Sequence, residues 1–173
     1  MVVPSGTNRY LCGEKWVKVM FIGQYKYNLD DKGRIVLPSE YRRQLGSRVV
    51  INKGIENCIT LYSETEWEKQ VSKVTNLDFT HKDNRAFNRY FLSSAFNKEI
   101  DGQGRIKLED NLVEYAKIVK ECVIIGAGNM VEIWSLDNWR KQEEARDESF
   151  ESISESITLP QWCKKNIVIS QLC

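Results

Sequence analysis

The chain has 173 residues, 42% of them hydrophobic and 28% charged, with a formal net charge of +1. That length suits one ordinary domain or two small units sharing a core. No apolar run approaches the roughly 20 residues of a membrane span, and residues 1–19 lack the apolar stretch and cleavage site of a secretory signal. The expectation is therefore a soluble, cytoplasmic protein without membrane association.

Five scattered cysteines (Cys12, Cys58, Cys122, Cys163 and Cys173) never form a C-x-x-C pair, and His81 is the single histidine. A zinc site needs four convergent ligands, usually delivered as close pairs. The cysteines read instead as buried or incidental thiols in a reducing compartment, and no metal or cofactor is expected. Charge is unevenly spread. Residues 20–53 carry seven lysines and arginines against three acids, whereas residues 136–156 carry three bases and seven acids. Such polarity suits a molecule with one face on a polyanion, although two differently charged solvated surfaces would read the same way.

Residues 1–19 are expected to be a leader, with Met20 the start of the functional chain. An internal repeat organises the residues after it. NLDDKGRIVLPSEY, from Asn28, aligns with EIDGQGRIKLEDNL, from Glu99, so that Asp30, Gly33, Arg34 and Ile35 match Asp101, Gly104, Arg105 and Ile106. After a one-residue shift the match resumes. Ser63 aligns with Ser135, and a tryptophan follows each by four residues, Trp67 and Trp139. The expected organisation is a first repeat at 20–74, a linking helix within 75–94, a second repeat at 95–146, and an acidic, flexible tail at 147–173.

Each copy predicts the same elements. A strand at 24–29 enters a turn at Asp30–Gly33, and a second strand at 34–37 leaves it as a short basic hairpin. Ile35 and Leu37 alternate with Arg34 and Val36, which leaves one strand face buried. Pro38 and Ser39 open a short helix that Gly46 stops as a left-handed cap. Residues 49–52 and 58–62 form a strand pair around a Gly/Asn turn. Ser63 and Glu66 then make a capping box for a helix through Trp67, with Ser135 in the same role later. Between the copies, residues 80–94 read as a helix capped by Thr80 and Asp83. Its stripe of Phe87, Tyr90 and Phe91 is expected to be core that joins the repeats. In the tail, 167–169 is a candidate strand.

Enzyme constellations fail in turn. Gly126-Ala127-Gly128 lacks a third glycine and precedes an alternating strand, so it reads as a hairpin turn. No phosphate-binding loop, nucleophile elbow or H-E-x-x-H is present, and His81 reads as a surface residue. What remains is the doubled D-x-x-x-R hairpin. Arginine can fork two hydrogen bonds onto guanine or phosphate. Equally, an Asp–Arg pair can close a tight turn without any ligand, and the residues alone leave both readings open.

The stretches MFIGQYKYNLDDKGRIVLPSEYR, DNRAFNRYFLSSA, EIDGQGRIKL and GNMVEIWSLDNW resemble the MraZ family of bacterial transcriptional regulators, over residues 20–146. The resemblance implies a β-rich α+β fold of two tandem AbrB-like swapped-hairpin units, a double-split β-barrel with peripheral helices. It implies a ring-shaped homo-oligomer that binds double-stranded DNA at short repeats upstream of its own operon in the division and cell-wall gene cluster. Such a protein is non-enzymatic, usually a repressor, and nucleoid-associated. The DNA-contacting residues it implies are Arg34 and Arg105, with Asp30 and Asp101 as their motif partners and Lys32 as a phosphate contact. Gln103 stands opposite Lys32 and Glu109 opposite Pro38, so the second hairpin is expected to bind less and position more. The alternative from another class is an oligomeric structural or interaction module whose hairpins serve assembly rather than DNA.

Overall fold

A computed structural model describes residues 9–12, 15–18 and 21–147. The chain divides into two units; of the first, residues 9–12, 15–18 and 140–147 are described, and the second is Val19–Trp139. In the first, β1 (Arg9–Cys12) and β2 (Lys15–Lys18) make an antiparallel hairpin with Cys12 opposite Lys15. The segment expected to be a leader thus contains paired backbone of its own. The acidic tail beyond Asp147 and the candidate strand at 167–169 lie outside the described residues.

The second unit is built from the repeat. The first copy supplies β3 (Gln24–Asn28), β4 (Arg34–Val36), α1 (Ser39–Leu45), β5 (Arg48–Lys53), β6 (Ile59–Ser63) and α2 (Glu64–Thr75). After α3 (Lys82–Ser93), the second copy supplies β7 (Phe96–Glu99), β8 (Arg105–Lys107), α4 (Asp110–Tyr115), β9 (Glu121–Gly126), β10 (Val131–Ser135) and α5 (Leu136–Asp147), of which only the first turn, to Trp139, belongs to this unit. This is a β-rich α+β chain. The one-residue net shift between copies comes from a longer connection after α4 and a shorter β9–β10 turn.

Six antiparallel strands form one sheet in the order β3-β9-β10-β6-β5-β7. At its centre β6 meets β10, with Leu61 opposite Val131. Each flank belongs to the other copy: β3 lies on β9 with Tyr25 opposite Ile124, and β7 lies on β5 with Asn97 opposite Val50. The remaining short strands, β4 and β8, leave this sheet and pair with each other, Ile35 opposite Ile106. This corrects the expected hairpins. The two arms of each Asp–Arg turn go to different sheets, because each arm finds its apolar partner on the other copy.

Period-two alternation places Ile35, Leu37, Ile106 and Leu108 fully inside, where they meet Tyr41, Leu112, Ile51 and Ile124. Burying an isoleucine of this kind contributes roughly 1.5–3 kcal/mol. Tyr41 is wholly buried, and its one hydroxyl proton is shared between the carbonyls of Ile22 (2.8 Å) and Gly23 (2.9 Å). Burial pushes that phenol up to about 12. Position 126 has to be glycine, since a Cβ there would overlap the Phe21–Ile22 backbone. The repeated tryptophans play equivalent parts: Trp67 packs on Tyr62 (5.7 Å between ring centres) and Trp139 on Trp134 (5.8 Å).

Several local expectations change. Gly46 ends α1 at positive φ (83°), but its ψ of −161° lies outside the left-handed helical region. Ser63 does cap α2, accepting from the Glu66 N–H at 3.3 Å. The Glu66 carboxylate completes no box, because it turns to Lys69, Gln70 and Asn129 in the second copy instead. Ser135 caps α5 through the Asn138 N–H at 3.3 Å. Thr80 and Asp83 do not cap α3. The Thr80 hydroxyl donates to Asp78 (2.7 Å), and His81 holds the cap position without a side-chain bond to the helix N-terminus.

The aromatic stripe is corrected as well. Although Phe91 stacks on Trp67 (5.2 Å) and on Phe87 (5.8 Å), none of the α3 residues is buried, and Phe87 and Tyr90 stay 42% and 49% exposed. What joins α3 to the sheet is polar. Ser94 donates to the buried Asn52 side chain at 2.6 Å, and the Lys53 ammonium sits over the Tyr90 and Tyr115 rings at 5.5 and 5.1 Å.

Candidate nucleic-acid interface

The turn chemistry that Asp and Gly supply is realised twice with the same geometry. The Asp30 N–H donates to the Arg34 carbonyl (2.9 Å) and the Gly33 N–H to the Asp30 carbonyl (2.9 Å), while Gly33 adopts φ of +70°. This is the bond pattern of a three-residue loop that ends on a left-handed glycine, although the strands it joins pair elsewhere. One carboxylate oxygen of Asp30 accepts the N–H groups of Lys32 (2.9 Å) and Arg34 (2.8 Å). The other holds the Arg34 guanidinium through Nε (2.8 Å) and Nη2 (2.7 Å). Asp101 repeats every contact with Gln103 and Arg105, at 2.8–2.9 Å, and Gly104 adopts φ of +77°.

A guanidinium has five N–H donors, and a side-on carboxylate engages two of them. The outer Nη1/Nη2 edge is left over, which is the edge that forks onto guanine O6 and N7 or onto a phosphate. The Asp therefore aims the arginine as well as closing the turn, and the two interpretations of the motif are compatible. Both carboxyls lie below the ordinary aspartate value. For Asp30, burial acts upward but is outweighed by the hydrogen bonds from Arg34 and Lys32. For Asp101, the Arg105 backbone and side-chain bonds dominate. The acids thus stay ionised at neutral pH, and the arginines stay oriented.

The β4–β8 pairing brings the two motifs together. Arg34 stands opposite Lys107 and Val36 opposite Arg105. Because side chains alternate, these four share the face opposite the buried Ile35–Ile106 pair. Arg34 and Arg105 are diagonal neighbours there, roughly 7–8 Å apart on such a ladder. Reciprocal bonds fasten each turn to the other copy: Leu37 N–H to the Gly104 carbonyl and Leu108 N–H to the Gly33 carbonyl, both 2.9 Å. Lys32 is exposed in the first turn. The sequence reading missed Lys107. Its aligned residue is Val36, so the repeat concealed it, whereas alternation from Arg105 would have found it.

The Glu109-for-Pro38 difference also finds a reason. Glu109 forms an ion pair with Lys98 on β7, and the first copy carries Tyr27 at the aligned strand position. Elsewhere, burial pushes the thiols of Cys58 and Cys122 up to about 12, which makes them poor nucleophiles. Among the described residues no helix is long and apolar enough to cross a membrane.

Comparison with known proteins agrees with this doubled geometry. The family model described as "MraZ protein, putative antitoxin-like" matches twice, at residues 20–90 and 91–160, dividing the chain within α3. The chain is 44% identical over 138 residues to the transcriptional regulator MraZ of Desulforamulus reducens, covering 80% of this chain and 97% of that protein. Proteins of the same name from Natranaerobius thermophilus (44%) and Thermoanaerobacter pseudethanolicus (45%) match over the same 80% of this chain and 96% of their own length. A family model that matches twice across residues 20–160, and relatives 44–45% identical over 80% of the chain, assign it: the chain belongs to the MraZ family.

Proposed function

We propose that this protein is a sequence-specific, non-enzymatic DNA-binding regulator of transcription. The observation that carries the reading is the β4–β8 ribbon, which sets Arg34 and Arg105 side by side with their outer guanidinium edges unengaged. Asp30 and Asp101 orient them, and Lys32 and Lys107 add charge for phosphates. Relatives that carry the name of transcriptional regulator support the same reading. The proposed target is double-stranded DNA at short repeats upstream of the protein's own operon in the division and cell-wall gene cluster. There it acts as a repressor, in the cytoplasm on the nucleoid.

The pairing of β3 with β9 and of β7 with β5 supports an AbrB-like swapped-hairpin, double-split barrel. A ring-shaped homo-oligomer completes the proposal. Each neutralised phosphate adds only about 0.9 to the salt slope, so one protomer grips weakly. Adjacent protomers on repeated sites gain roughly 10²–10⁴ in avidity. The exposed aromatic face of Phe79, Phe87 and Tyr90 supports such an assembly. That same face favours the second reading, an assembly module that does not bind DNA.

A gel shift on the DNA upstream of the protein's own gene, across a salt series, separates the two. Salt-dependent retention is expected, and Arg34→Ala should abolish it while the oligomer stays intact in sedimentation. Unchanged affinity in that variant would remove the DNA-binding reading.

A further inference from the structure

Arg42 belongs to α1 of the first copy, yet its side chain reaches the turn of the second. A Cβ placed on Gly104 would fall within the Arg42 guanidinium and 2.6 Å from its Cδ. The arginine therefore lies across Gly104, the residue beside Arg105. Among the described residues no ion pair or side-chain hydrogen bond holds it, and its Nε is buried without a partner. The repeat itself does not call for an arginine at this place: the aligned residue is Val113, which packs against the apolar core. At the first turn no side chain covers Gly33, where a Cβ would meet only the Leu108 carbonyl at 3.9 Å.

A half-buried guanidinium without a carboxylate is costly to keep unless something anionic completes it. Its place is also where the second turn is short of charge. Gln103 stands at the position of Lys32, and Glu109 neutralises Lys98. We propose that Arg42 is a DNA-phosphate contact for the second turn, in the role that Lys32 has for the first. Its stem lies against the turn backbone, so it grips phosphate at the edge of the ribbon, while Arg105 points its outer edge toward the bases. The inference rests on the DNA-binding reading above.

The test titrates a fluorescent duplex spanning the DNA upstream of the protein's own gene with the full chain at several salt concentrations. Arg42→Met keeps the apolar stem over Gly104 and removes the charge. Binding at 0.15 M salt should weaken about fivefold or more, and the salt slope should fall by about 0.9 for each protomer engaged. Arg42→Lys should restore the slope. If Arg42→Met binds as the wild type does while Arg34→Ala loses binding, the role of Arg42 is overturned and the DNA-binding reading stands. If the wild type shows no salt-dependent binding, both fall together. Should Arg42→Met fail to fold, wild-type protein treated with phenylglyoxal and mapped by peptide mass decides. Protection of Arg42 by the duplex is expected, and equal reactivity with and without DNA overturns the role.

Discussion

At the first Asp–Arg turn, Gly33 is open on its outer side and Lys32 projects into solvent; at the second, Gly104 lies beneath the Arg42 side chain and Gln103 is uncharged. Between them the backbone hardly changes, with the same bonds to the carboxylate at 2.7–2.9 Å. The difference teaches that a duplicated motif can keep its geometry while its charge is redistributed. The second copy has no cation at the position of Lys32, and a residue from the first copy stands over that turn. The pair behaves as one surface built by two copies, which is why reading each hairpin alone undervalues the second.

The largest test of this equivalence is Arg34→Ala beside Arg105→Ala. A bidentate arginine–base pair contributes about 1–3 kcal/mol, roughly 5- to 150-fold per site. Equal geometry predicts comparable losses in duplex affinity. Retained binding in Arg105→Ala alone would restore the unequal roles expected from sequence.

Next comes alanine at the two turn glycines. Gly33→Ala should cost about 1–2 kcal/mol, the penalty of a left-handed residue with a side chain. Gly104→Ala should cost more, since the new methyl also displaces Arg42. Urea unfolding of the two variants measures this, and equal midpoints would mean that Arg42 yields freely.

A smaller effect of opposite sign is expected where the copies differ at a helix end. Lys117 aligns with Gly46 and holds φ of +55°. Lys117→Gly should stabilise the fold by about 0.5–1 kcal/mol, the relief of that backbone less the entropy of glycine; a lower urea midpoint would contradict it.

The smallest concerns pH. Both aspartates lie below their ordinary 3.8 when folded, so the turns contribute their full stability above that value. They lose it as pH falls through the lowered folded values. The side-chain carboxyl resonances of Asp30 and Asp101 should both titrate below 3.8, and one titrating above it would break the equivalence at that turn.

Much of the unit was legible in the residues. Repeat spacing, strand alternation at Ile35 and Leu37, turn glycines and the serine caps are local patterns, each set by backbone sterics or by one short contact. The Asp–Arg pairs were legible for the same reason, as i and i+4 partners across a single turn. The aromatic stripe of α3 misled, because helical spacing reports that a face is apolar and not whether the fold has anything to cover it with. Exchange of β3 and β7 between the copies, the meeting of Arg34 with Arg105 and Lys107, and the reach of Arg42 to Gly104 all join residues distant in sequence. Two copies of one pattern offer every strand two chemically similar partners, its own and its neighbour's. The doubled motif itself is written in the sequence, whereas the choice between those partners depends on which pairing closes one shared core, and only the tertiary structure decides it.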